Sequence, residues 1–135
     1  MALRYLLDTN TASYVIKGNV PSVRQRLQKS APTDVAISVI TEAELRFGVH
    51  RLPEAKRLAF VVDEFLRFID IRPWDSAAAQ TYAELRALIE HEGRPMGNMD
   101  LMIAAHAAAL GVTLVSSDRV FRRVKDLKLE DWSHP

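Results

Sequence analysis

The 135-residue chain sets 18 Lys and Arg against 17 Asp and Glu for a formal net charge of +1, which excludes a protein that coats polyanions through bulk charge. Hydrophobic residues at 48% and charged residues at 26% exclude a disordered or fibrous chain, and the length predicts one domain spanning residues 1–135. Cysteine is absent, so disulfides, thiolate catalysis and sulfur-bound metals are excluded and any metal must be held by oxygen or imidazole.

"LRYLL", Leu3 to Leu7, reads as a short buried strand, and a helix capped by Thr9 or Asn10 should follow it as far as Lys17, stopped by Gly18. Pro21 opens a second short helix, "PSVRQRLQKS". "DVAISVI", Asp34 to Ile40, is rich in β-branched residues and predicts a second strand, with "TEAELRFGVHRL" helical after it from Thr41. A longer helix is expected from Pro53, with Leu58, Val61, Val62, Phe65 and Phe68 or Ile69 as its apolar stripe. "DIRPW" is a short strand or turn, and the next helix runs from an Asp75 or Ser76 cap to Gly93 with Tyr82, Leu85, Leu88 and Ile89 on its buried face.

"RPMGN" is a loop, and "MDLMIAAHAAALG" is a helix so apolar that it must be mostly buried. "VTLVSSD" gives the third confident strand, "RVFRRVKDL" a last short helix and "KLEDW" an edge strand. Strands alternating with helices predict an α/β domain: a doubly wound parallel sheet of four or five short strands covered on both faces. No apolar run approaches the roughly 20 residues of a membrane helix, and "MALRYLLDTN" meets an acid too soon for a secretion signal, so a cytoplasmic location is expected.

In such a sheet, sites lie beyond the carboxyl ends of the strands. Asp8 ends the first strand, Glu44 sits in the first turn after the second, Asp118 follows the third, and Asp100 starts the apolar helix before it. Each acid has a structural alternative. Asp8, Asp100 and Asp118 suit helix starts, and Thr41 with Glu44 has the spacing of a capping box. Gathered at one sheet edge, however, four carboxylates would raise one another's pKa unless a cation or proton neutralised them. Oxygen donors without sulfur suit a hard ion, Mg²⁺ with Mn²⁺ as a substitute, and the chemistry suited to that ion is phosphoryl transfer.

Three stretches, "LLDTNTASYVIKG", "ISVITEAELRFG" and "NMDLMIAAHAAALGVTLVSSD", resemble the motifs of PIN-domain ribonucleases, specifically the VapC-type toxins of bacterial toxin-antitoxin pairs, and the likeness runs from Leu6 nearly to "LEDW". The resemblance implies a PIN-like fold and a metal-dependent endoribonuclease whose catalytic acids match Asp8, Glu44, Asp100 and Asp118, with Asp8 and Asp100 as the chief metal ligands. It implies RNA, commonly tRNA, as substrate, a cognate antitoxin that covers the acidic cleft, a homodimer, and operator DNA bound only through the antitoxin. Val120 stands where many relatives carry a further acid, so a second metal position lacks that ligand.

Thr9 and Asn10 beside Asp8 are candidates to orient it or to contact phosphate, and Arg46 and Arg119 are the candidate RNA contacts among the basic residues. The apolar stripe from Leu58 to Phe68, with nearby Phe47, is the candidate antitoxin or dimer surface. His106 is expected to pack in or near the core. Two alternatives stand beside the nuclease. A haloacid-dehalogenase-like phosphatase needs a second acid two residues after Asp8, where Asn10 stands, and a non-catalytic RNA- or protein-binding α/β domain would use its acids only as caps.

Overall fold

A computed structural model describes residues 2–135. Five parallel strands, β1 (Tyr5–Leu7), β2 (Val35–Ser38), β3 (Asp70–Arg72), β4 (Thr113–Val115) and β5 (Leu129–Glu130), form one sheet in the order β3-β2-β1-β4-β5. Six helices connect them: α1 (Thr9–Lys17), α2 (Pro21–Lys29), α3 (Val39–Arg51), α4 (Lys56–Phe68), α5 (Ser76–His91) and α6 (Asn98–Leu110). The expected doubly wound α/β architecture is therefore present, and its topological switch lies where β1 pairs with β4 as well as β2.

Alternation along the central strand divides the core. Tyr5 and Leu7 face one layer with Val35, Ile37 and Val115 under Ala12, Val23, Leu45, Val62, Leu66 and Trp132. Leu6 faces the other with Ala36 and Leu114, under Ile89, Leu101, Ile103, Ala104, Ala107 and Phe121. Strands buried on both faces need continuous apolar runs, which is why "YLL" and "VAI" carry no polar residue. Leu114 is completely buried within this sheet. Leu114→Ala should cost about 3 kcal/mol through lost burial and the residual cavity. Chemical denaturation would read this as a lower midpoint at unchanged slope.

Helix boundaries follow local chemistry. Gly18 and Gly111 take the left-handed backbone at φ 67° and 71° and end α1 and α6, a conformation in which a Cβ is strained. Three expected boundaries are corrected. The cap of α1 is Asp8, not Thr9 or Asn10, because the Asp8 carboxylate accepts the Thr11 N–H at 2.8 Å. β2 ends at Ser38, whose hydroxyl accepts the Ile40 N–H at 3.0 Å, so Val39 and Ile40 are helical and no Thr41–Glu44 capping box forms. α4 begins at Lys56, after a turn that occupies Pro53 to Ala55, and buries Val62 and Leu66, while Phe68 is 79% exposed. No helix among the described residues is long and apolar enough to cross a membrane.

Candidate active site

Asp8 leaves the carboxyl end of the central strand with its backbone N–H bonded to the Val115 carbonyl at 3.0 Å, which places it in the crevice between β1 and β4. Its side chain is 3% exposed, and the two readings of this acid coexist: Oδ1 caps α1 while the group remains part of the sheet edge. Burial pushes the Asp8 carboxyl above the usual carboxylate range, opposed by hydrogen bonds from the Ser116 hydroxyl and from Thr11 and reinforced by the Asp118 charge. Thr11 is in turn anchored by its hydroxyl to the Val115 carbonyl at 3.1 Å.

Asp100 stands in the first turn of α6, which starts at Gly97 with no side-chain cap. Its carboxyl is also raised. Burial is the largest cause, followed by the charges of Asp118, Glu44 and Asp8, and no hydrogen bond contributes. This acid therefore does no capping work, and its ionisation is opposed by three other carboxylates carried on three separate segments. Asp118, exposed after β4, accepts the Val120 N–H at 2.9 Å, while its own N–H donates to Ser116 Oγ at 3.0 Å. It caps a short 3-10 turn, Arg119–Arg123, where a longer α-helix is the sequence expectation.

Glu44 lies one turn deeper along α3 than Thr41, and its Oε1 pairs with the Thr9 hydroxyl, which also lies 3.2 Å from Thr41 Oγ1. Thr9 is thus a link between α1 and α3 that orients Glu44, and Asn10 is exposed to solvent. Arg46 is bound to Glu42 at 2.8 Å one turn back and its side chain remains half exposed. Arg119 is exposed next to Asp118. The sequence reading passed over Ser116 and Thr11, which hold Asp8 through the Ser116 hydroxyl and the Thr11 backbone N–H. Their signal is faint, a Ser two residues before Asp118 and a Thr three after Asp8, spacings that any capping turn shares.

All four acids predicted from the sequence share one electrostatic neighbourhood at the carboxyl edge of the sheet. Among the described residues no three His, Asp or Glu side chains close into a cage around one point. The donor set still fits a hard divalent ion, because Mg²⁺ keeps several waters and takes only one or two carboxylates directly. A cation would also remove the mutual repulsion that raises Asp100. His106 is 1% exposed and packs in the core, as the sequence reading expects.

Residues 5–127 match the PIN domain family. The tRNA(fMet)-specific endonuclease VapC of Shigella flexneri is 37% identical over 97% of this chain and 99% of its own length. Ribonuclease VapC2 of Rickettsia felis is 36% identical over 95% and 97%. Among solved structures, the DNA-bound VapBC of Salmonella typhimurium superposes with a TM-score of 0.90 at 33% identity, covering 96% of this chain and 98% of that one. The VapBC2 of Rickettsia felis bound to a promoter DNA fragment gives a TM-score of 0.89 at 35% identity, covering 96% and 99%. Full-length likeness of this degree, on the sheet order and edge just described, places the chain in the PIN-domain family, among its VapC-type metal-dependent ribonucleases.

Proposed function

We propose that this chain is a divalent-cation-dependent endoribonuclease toxin that hydrolyses RNA phosphodiester bonds, with Asp8, Glu44, Asp100 and Asp118 as its catalytic acids. One observation carries the assignment of the residues: the Asp100 carboxyl, free of hydrogen bonds, sits in the field of the other three. Asp8 and Asp100 would hold the ion, Mg²⁺ or Mn²⁺, with Glu44 and Asp118 around it. When bound, the ion acidifies a water and neutralises charge on the phosphodiester.

The side chains of the protein do the rest. Asp8 is fixed in aim by Thr11 and Ser116, so little reorganisation is needed at the reacting phosphate. Thr9 holds Glu44 toward the same edge. Arg119, exposed next to Asp118, would meet a flanking RNA phosphate, a contact that weakens with salt. Because water and not the ribose 2′-hydroxyl would attack, the downstream fragment should carry a 5′ phosphate.

The relatives extend the proposal to partners. A tRNA is the substrate class, an antitoxin protein is the inhibitor, and operator DNA would be reached through that antitoxin. The cytoplasm is the proposed compartment, a homodimer the proposed assembly, and residues 1–135 one PIN domain. A groove of about 530 Å³ walled by Val15, Leu27, Val61, Phe65, Phe68 and Ile69 supports an antitoxin surface on the face formed by α1, α2 and α4. It includes part of the stripe expected from the sequence, whereas Phe47 lies outside it and is 65% exposed.

The test is brief expression followed by sequencing of RNA 5′ ends. Discrete new 5′-phosphorylated ends in a small set of RNAs are expected, and they should be absent when the antitoxin is co-expressed. Intact RNA after induction of the folded chain, with Mn²⁺ present in a purified assay, would sink the proposal.

A further inference from the structure

We propose that His106 is a positioning residue that, through Ser38, sets the spacing between the two helices carrying Glu44 and Asp100 and thereby the metal affinity of the acidic edge. The inference rests on the function proposed above.

His106 and Ser38 are both buried, at 1% and 0% exposure, and His106 Nδ1 lies 2.8 Å from Ser38 Oγ. The Ser38 oxygen accepts the Ile40 N–H as the cap of α3 and still has both a lone pair and its own proton with which to pair Nδ1. The Pro73 backbone lies on the ring as a further polar neighbour. Burial, the largest cause, lowers the His106 pKa and agrees with a neutral ring.

The placement is informative. His106 stands six positions after Asp100 on α6, and Glu44 six positions after Ser38, the cap of α3, about 9 Å along the axis in each case at 1.5 Å per residue. Asp100 feels the charge of Glu44 at one end of this helix pair, while His106 grips Ser38 at the other. The two segments are therefore bonded at one point and carry like charge within each other's field at another. Four carboxylates in one neighbourhood push their supporting elements apart, and the imidazole is a rigid strut that holds them together before any ion arrives. Neither His106 nor Ser38 bonds to one of the four acids, so the effect passes through helix placement, and changes of this indirect kind shift coupling by about 2- to 30-fold.

Two amide substitutions separate the strut from mere core filling. In His106→Asn the amide occupies the place of Nδ1 and can still pair with Ser38 in either direction. In His106→Gln the amide occupies the place of Nε2 and does not reach Ser38. Calorimetric titration of each metal-free chain with Mn²⁺ is the primary readout, with kcat and KM on a cleaved RNA alongside.

His106→Gln should weaken Mn²⁺ affinity and lower kcat by about tenfold with KM little changed, while His106→Asn stays within about threefold of the parent. Ser38→Ala should reproduce the Gln variant, and combining the two should add little. Equal Mn²⁺ affinity for the parent and His106→Gln, or equal losses for Asn and Gln, would overturn the role of His106 while leaving the nuclease assignment intact. Failure of the parent chain itself to bind Mn²⁺ would instead remove the metal site, and this inference with it.

Discussion

Asp8→Asn is expected to abolish RNA cleavage, a fall of about 10³-fold or more, while the chain folds at least as stably as the parent at pH 7 in the absence of divalent metal. The first half follows if this carboxylate is a direct ligand, because the ion contributes several kcal/mol to the transition state and each 1.36 kcal/mol is tenfold in rate. The second half follows from the sign of the pKa shift. Burial raises the Asp8 carboxyl above its ordinary value, so the protonated form is the one favoured by folding. Its contribution to stability is fully present below the unfolded pKa and is lost as pH rises through the folded one.

At neutral pH the ionised group therefore opposes folding, and a neutral amide relieves that opposition. Asn also replaces Asp as an N-cap at little cost, since its side-chain oxygen can accept the Thr11 N–H. Asp100→Asn should behave alike in activity and stability, for the same reason and without a cap to preserve. Cleavage assays paired with thermal melts check both. An Asp8→Asn chain that still cuts RNA would refute the ligand assignment, and one that fails to fold would refute the electrostatic argument.

The second large effect is on stability. Saturating Mn²⁺ should raise the melting midpoint of the parent chain at pH 7.5 by about 10 °C. An ion that binds only the folded state at 100 times its dissociation constant adds about 2.7 kcal/mol, and for a chain of this size each kcal/mol is worth about 3 to 4 °C.

The shift should shrink as pH falls into the carboxylate range, because Asp8 and Asp100 take up protons above the ordinary carboxylate pKa and a protonated carboxyl is a poor ligand. Without metal the pH dependence of these two groups runs the other way, with stability gained as they protonate. Melting curves at two pH values, with Mn²⁺ and with chelator, separate the two signs. An equal midpoint with and without Mn²⁺ at pH 7.5 would exclude a site of useful affinity at this edge.

Much of the fold was readable before any coordinates, for reasons that can be named. Strands of three or four residues buried on both faces leave runs such as "YLL" and "VAI", and helices leave caps and stops such as Asp75 and Gly111. Boundaries failed where a β-branched pair, Val39 and Ile40, reads as strand by composition but is helical because the Ser38 hydroxyl caps α3 before them. The same displacement removed the capping box that would have explained Glu44 as a structural acid. Phe68 also misled, since apolar spacing marks a face without saying whether another part of the chain covers it.

The sequence by itself determined the chemistry available: no sulfur ligand, four acids set after strands or at a helix start, and motifs that match a ribonuclease family. Local pattern carries such facts because residue type and spacing along a strand or helix depend on near neighbours alone. Only the tertiary structure decided that Asp100 lies in the field of Asp118, Glu44 and Asp8, that Thr9 holds Glu44, that Arg46 is bound to Glu42, and that His106 reaches Ser38 across 68 residues. Those relations depend on how helices from distant segments cross over a five-stranded sheet, and crossing geometry comes from packing the whole core at once.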